Sequence, residues 1–172
     1  MKTEVRLVDA LIHTVHYASP LGILQLQEED GKLIVAGFIN DSAVKETETT
    51  TSPVLHQTIQ QLNEYFAGNR ITFDLPLHPV GTDFQQKVWQ QLLQIPFAET
   101  VTYLHLAKRL NNVKSIRAAA SANGKNPLAI IIPCHRVVGA HGKLTGYAGG
   151  LHRKQWLLQH EAKAAGKQST LF

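Results

Sequence analysis

Residues 74–81 hold Pro76, Pro79 and Gly81, and neither a continuous helix nor a central strand runs through two prolines and a glycine set so close together. The break divides the chain into two stretches of different character. It predicts an N-terminal structural domain over 1–76, a C-terminal domain over 77–162 and a flexible tail over 163–172. With 172 residues in all, the chain is long enough to bury a core on both sides of the break.

Before the break, residues 11–17, 23–27 and 33–39 are short runs rich in Val, Ile and Leu. They are separated by Ser19-Pro20-Leu21-Gly22 and Glu28-Glu29-Asp30-Gly31, as strands joined by tight turns would be. Residues 40–51 are polar and threonine-rich, with little to bury, and read as a loop. Ser52-Pro53 has the form of an N-cap with proline at the first helical position. Leu55, Ile59, Leu62 and Phe66 then recur at helical spacing until Gly68. Residues 71–73 predict one further short strand. No chemical motif stands out here, so this half is assigned a structural role.

After the break, Thr82-Asp83-Phe84-Gln85 is a capping box. Phe84, Val88 and Leu92, with Trp89 beside them, form an apolar helix face that Pro96 terminates. Thr102 can cap a helix over 103–110, with Tyr103, Leu106, Ala107 and Leu110 on one face and Asn111-Asn112 ending it. Ser115 can cap a second short helix over 116–123, lined by alanines and closed by Gly124. Two short helices joined this way form a helix-turn-helix pattern, which is also common in helical domains that bind no DNA. Residues 139–150 are a loop with five glycines, and a final helix over 151–161 follows. The expected fold class is α+β: an N-terminal antiparallel sheet with a helix, then a helical domain.

Charge separates the stretches more sharply than the net +4 suggests. From Thr100 to His160 there is no Asp or Glu, while Lys108, Arg109, Lys114, Arg117, Lys125, Arg136, Lys143, Arg153 and Lys154 give that span +9 and leave the remainder at −5. A polyanion, and nucleic acid first, is the natural partner of such a face. The N-terminus has Lys2, Glu4, Arg6 and Asp9 interrupting every apolar run, so no signal peptide is expected. No stretch is long enough to span a bilayer, and the expected location is cytoplasmic.

The chain has one cysteine, in Ile130-Ile131-Ile132-Pro133-Cys134-His135-Arg136-Val137-Val138. A single thiol excludes an intramolecular disulfide and any zinc site built on several thiolates, and none of the nine histidines shows the HxxxH or HExxH spacing of helical metal ligands. His135 and Arg136 would favour the thiolate by their positive field, and Pro133 would stiffen the backbone that aims it. A cysteine after three isoleucines also suits a small buried hydrophobe.

Asn126-Pro127 followed by Ile-Pro-Cys-His-Arg-Val, then Gly146-Tyr147-Ala148-Gly149-Gly150, Trp156-Leu157-Leu158 and His160-Glu161, with Tyr103 and Arg117 upstream, resembles the O6-alkylguanine-DNA alkyltransferases of the short bacterial type. The ordered agreement covers residues 80–162, with a looser likeness before it at Ser19-Pro20-Leu21-Gly22. The resemblance implies a ribonuclease H-like N-terminal half, a winged-helix-like C-terminal half and a suicide reaction. Cys134 would take an alkyl group from O6 of guanine in duplex DNA, with O4-alkylthymine a further candidate substrate, and keep it. No cofactor or metal is implied; some relatives hold zinc through N-terminal cysteines that this chain lacks.

By the same resemblance, His135 takes the thiol proton through a water, Glu161 orients His135, and Asn126 ties the loop to the active site. Tyr103 reaches N3 of the flipped base and Arg117 fills the space it leaves in the stack. Main-chain groups of Val137 and Ala148, with Tyr147 and Gly149, close over the base. Some relatives carry serine where Ala148 stands, but the contact is a backbone N–H. Ser115, Ala118, Ala119, Asn123, Lys125 and Arg136 would lie against DNA. The partner is double-stranded DNA bearing O6-alkylguanine, bound by a monomer with cooperative binding left open, and no membrane is involved. Three rival readings stand beside this: an alkyltransferase-like lesion-binding protein, in which tryptophan replaces the nucleophile; a Cys-His hydrolase; and a helix-turn-helix regulator with an inert cysteine.

Overall fold

The computed structural model describes residues 11–41, 43–47 and 50–167, so the N-terminal run from which no signal peptide is expected lies outside the described residues. Three antiparallel strands, β1 (His13–Ser19), β2 (Gly22–Glu29) and β3 (Lys32–Phe38), form a meander in the order β1-β2-β3. Alternation sets their inner face: Val15, Tyr17, Leu24, Leu26, Leu33 and Ala36 are buried. Helix α1 (Pro53–Phe66) packs across that face through Leu55, Leu62 and Tyr65. The Ser52 side chain accepts from the Leu55 N–H, as its N-cap position requires.

The expected strand over 71–73 does not form. Residue 77 pairs instead: Leu33 N–H donates to the Pro76 carbonyl and His78 N–H donates to the Leu33 carbonyl, both at 2.8 Å. The Asp74 backbone is also held by the Gln61 side chain. Hence the proline-rich break is strapped to the edge of β3.

Helix α2 (Asp83–Leu92) starts with the predicted capping box, Thr82 and Gln85 exchanging side-chain-to-backbone bonds, and buries Val88, Trp89 and Leu92. It ends at Leu92, four residues before Pro96. A two-residue strand β4 (Val101–Thr102) precedes α3 (Tyr103–Arg109), whose N-cap is Thr102; Asn111 at φ 56° turns the chain out of the helix. Helix α4 (Ile116–Gly124) departs from expectation at its start. Ser115 makes no capping bond, because a 3-10 turn over Val113–Ser115 leads into the helix and the Ser115 hydroxyl donates back to the Asn112 carbonyl at 2.6 Å. Trp89 Nε1 donates to the buried Ala122 carbonyl at 2.9 Å and fixes α2 against α4.

After Pro133 comes a 3-10 turn, Cys134–Arg136, and then β5 (Val137–Val138), which pairs in parallel with β4. This small pairing, not anticipated from sequence, links the cysteine turn to the start of α3. The last helix, α5 (Leu151–Ala164), outruns its expected end at Glu161, and Lys167 reaches back to the Ala98 carbonyl and to Glu99. Residues 168–172 of the predicted tail lie outside the described residues. Among the described residues no helix is long and apolar enough to cross a membrane, and no cluster of His, Cys, Asp and Glu could hold a metal ion.

Candidate active site

Asn126 shapes the loop before the cysteine. Its Oδ1 accepts from the Leu128 N–H at 2.9 Å and its Nδ2 donates to the Ile132 carbonyl at 2.7 Å, so one side chain spans six residues of loop. Within that span Ile130 is held at φ 72°, a left-handed conformation that a β-branched residue adopts only under constraint. The other constraint comes from β3: Ala36 N–H donates to the Pro127 carbonyl and Ala129 N–H donates to the Ala36 carbonyl. The N-terminal sheet thus templates the loop that leads into Cys134.

Cys134 is 6 % exposed and lines a cavity of about 130 Å³ with Asn123, Asn126, Tyr147, Ala148 and Gly149. Burial pushes its thiol pKa up, against the Asn126 side chain and the Lys154 cation, which pull it down. Asn123 on α4 donates to the Cys134 carbonyl at 3.4 Å. An outer cavity of about 460 Å³ shares Asn123, Tyr147 and Ala148 and adds Tyr103, Arg117 and Gly146. The thiol therefore sits at the inner end of a cleft between α4 and the glycine-rich loop, with Arg117 exposed at its mouth.

Behind the thiol is a buried ion network. His135 and Glu161 are both 0 % exposed, with His135 Nε2 2.7 Å from Glu161 Oε1. Arg136 donates through Nε to Oε2 and through Nη2 to Oε1, both at 3.0 Å, and through Nη1 to the Ile95 carbonyl. Tyr65 and the Ala98 N–H complete the set of donors to Glu161. Burial alone would raise the carboxyl pKa, but His135 and Arg136 hold it far below the carboxylate range. Burial pushes the His135 pKa down despite the pull of Glu161, so the imidazole is neutral at pH 7. An ionised carboxylate only accepts, so Nε2 carries the proton and Nδ1, buried without a protein partner, is the basic nitrogen.

Several expectations need correction. Arg136 is 7 % exposed and spent on Glu161, so it is not open to DNA; the cation that lowers the thiol pKa is Lys154. Ala119 is fully buried and Ser115 nearly so, because both lie on the inner side of the α4 region, which leaves Ala118, Arg117 and Lys125 on the open side. Asn123 faces the cysteine turn instead of DNA. Of the nine cations in the acid-free span, Arg136, Arg153 and Lys154 are buried.

Three contributors were not singled out from sequence. Lys154, fully buried and with its pKa pushed down to about 8 by that burial, donates to the Val137 carbonyl at 2.6 Å and the Thr145 carbonyl at 2.9 Å. It thereby ties β5, just after the cysteine turn, to the glycine-rich loop. Its place at helical spacing from Leu157, Leu158 and Glu161 is a signal that could have shown it facing inward. Arg153 donates to the Leu21 carbonyl and the Gly149 carbonyl and lies 4.4 Å over Phe38, tying the β1–β2 turn to the glycine-rich loop. Gly22 at φ 113° permits this approach, since a Cβ there would meet Arg153 Nη2 at 3.1 Å. Tyr65, from α1, had no local signal at all.

A buried thiol backed by a His–Glu pair, at the inner end of a cleft bordered by the second helix of a helix-turn-helix, is a site suited to covalent chemistry through cysteine. Two family models match along most of the chain: the 6-O-methylguanine DNA methyltransferase ribonuclease-like domain over residues 12–79 and the DNA binding domain of the same name over residues 83–163. Among relatives, the methylated-DNA–protein-cysteine methyltransferase of Mycobacterium bovis is 43 % identical over 94 % of this chain and 99 % of its own length. The constitutive enzyme of Bacillus subtilis is 45 % identical over 76 % of this chain and 83 % of its own. Crystal structures of the Mycobacterium tuberculosis O6-methylguanine methyltransferase and of the OGT of that organism in complex with DNA each superpose with a TM-score of 0.79. They are 41 % and 42 % identical, covering 90 % and 88 % of this chain and 94 % of each structure. The chain belongs to the 6-O-methylguanine DNA methyltransferase family.

Proposed function

We propose that Cys134 is the alkyl acceptor, that His135 is its base through Nδ1, and that α4 opens the duplex to deliver O6-alkylguanine to the cleft. The protein repairs DNA by moving an alkyl group from DNA to a protein cysteine. One observation carries the assignment: the chain has a single cysteine, and that cysteine lines the cleft. The Sγ–C bond forms as the C–O6 bond breaks, and the electron pair stays on guanine. The thiol proton leaves by way of a water toward His135 Nδ1, and the Tyr103 hydroxyl, which lines the outer cavity, returns a proton to the guanine ring. A thioether has no easy leaving group, so each chain reacts once. Glu161 holds the imidazole tautomer, and Asn126 and Lys154 set the loop and lower the cost of forming a thiolate in a buried site.

The alkylated base lies inside a duplex and must be extruded. Arg117, exposed on α4 at the cleft mouth, fills the space it leaves, and Ala118 lets the helix approach the groove. Lys108, Lys114 and Lys125 remain exposed for phosphate contacts. The test is Arg117→Ala assayed on duplex O6-methylguanine and on free O6-benzylguanine. The account expects a duplex-specific loss of rate that persists at saturating DNA. Recovery at saturation would make Arg117 a phosphate contact, and equal losses on both substrates would refute the flipping role.

A further inference from the structure

Sequence alone gives the N-terminal half a structural role, yet its helix α1 sends one polar group into the ion network behind Cys134. Tyr65 is 0 % exposed and packs among Phe66, Phe73, Phe97 and His160, where a phenylalanine would satisfy every apolar contact. Its hydroxyl instead donates to Glu161 Oε1 at 2.8 Å. That is the oxygen facing His135 Nε2 at 2.7 Å, while Oε2 is taken by Arg136 and the Ala98 N–H. We propose that Tyr65 is a positioning residue for alkyl transfer: acting through Glu161, it fixes the orientation and proton affinity of His135 and makes α1 part of the chemical site. The proposal rests on the base role of His135 given above.

Each donor to Oε1 withdraws charge from it and weakens its hold on an imidazolium. With three donors on Oε1, Glu161 fixes the tautomer of His135 without making the imidazole so basic that it is protonated before the thiol gives up its proton. The hydroxyl also stops the carboxylate from rotating, because α1 is anchored on the sheet. The other titratable or charged groups facing this network are Arg136 and Cys134 on the 3-10 turn, Lys154 on α5 and Tyr147 on the glycine-rich loop. His160 lies tilted against the Tyr65 ring, with centroids 5.3 Å apart, and donates through Nε2 to the Tyr65 carbonyl. Arg136 shares Oε1 through Nη2, but no group besides His135, Arg136 and Tyr65 donates to that oxygen among the described residues.

The experiment is the pH dependence of single-turnover reaction with free O6-benzylguanine, which isolates chemistry from DNA binding. In Tyr65→Phe the acid limb, below which His135 is protonated and cannot accept, moves to higher pH by about one unit, so the rate on that limb falls about tenfold. Installing 3-fluorotyrosine at position 65, a stronger donor of nearly the same shape, moves the limb the other way and decides the matter even if Tyr65→Phe fails to fold. A folded Tyr65→Phe, or a fluorotyrosine protein, with the limb unmoved overturns the proposal. His135→Gln separates the two levels. If it keeps the wild-type limb, the base assignment itself fails; if it loses the limb while the position-65 variants leave it unmoved, only the role of Tyr65 fails.

Discussion

Asn126→Ala should damage reactivity more than folding. The substitution removes the bonds to the Leu128 N–H at 2.9 Å and the Ile132 carbonyl at 2.7 Å, next to two residues that are fully buried. Leaving each buried partner unpaired costs about 1–3 kcal/mol, so the two bonds together cost about 2–6 kcal/mol. Against a typical total of about 5–15 kcal/mol the variant should remain folded at 25 °C. The rate is more exposed. Ile130 at φ 72° relaxes once the brace is gone, the sulfur shifts, and the thiol loses a neighbour that lowers its pKa. A displacement on the order of an ångström costs on the order of a hundredfold in rate. Asn126→Asp sharpens the test: aspartate still accepts from the Leu128 N–H, so part of the stability returns. It cannot donate to the Ile132 carbonyl, and its charge raises the thiol pKa, so the rate should be no better than that of the alanine variant. Urea unfolding gives the stability, and single-turnover reaction with free O6-benzylguanine across a pH series gives the rate. An alanine variant that unfolds at lower urea yet reacts at the wild-type rate would refute the reasoning.

Glu161→Gln leaves Arg136 charged and buried without a counter-ion, and stability should fall by about 3–5 kcal/mol, read by urea unfolding. The wild-type protein should lose stability in acid for the same reason. The folded-state pKa of Glu161 is depressed, so its contribution is complete above the ordinary value of 4.5 and drains away below it, by about 1.4 kcal/mol per pH unit. A denaturation midpoint flat through that window would contradict the buried ion pair.

The local grammar of this sequence was readable because its caps and breakers are strong. Ser52-Pro53, the Thr82–Gln85 box, Thr102 and Asn111 all act where their chemistry says they should. The cysteine stretch also stood out, through uniqueness and through its ordered neighbours. What escaped was set by partners far away in the chain. Tyr65 meets Glu161 across 96 positions and Arg153 meets Leu21 across 132, and no periodicity carries that information. Reading charge as surface misled for the same reason: Arg136, Arg153 and Lys154 count toward a basic face in sequence, yet each is buried on carbonyl or carboxylate oxygens. The strand expected over 71–73 failed because its β propensity had no free edge beside it; residue 77 took the edge of β3 instead.

The central claim, that Cys134 takes the alkyl group and keeps it, is tested most directly by intact-mass measurement after incubation with an excess of duplex DNA containing O6-methylguanine, followed by peptide mapping. The account predicts a gain of one methyl group per chain, located on the peptide that contains Cys134, with repair stopping once every chain is modified. A methyl group on another residue, an unmodified protein beside repaired DNA, or repair exceeding the number of protein molecules would contradict it.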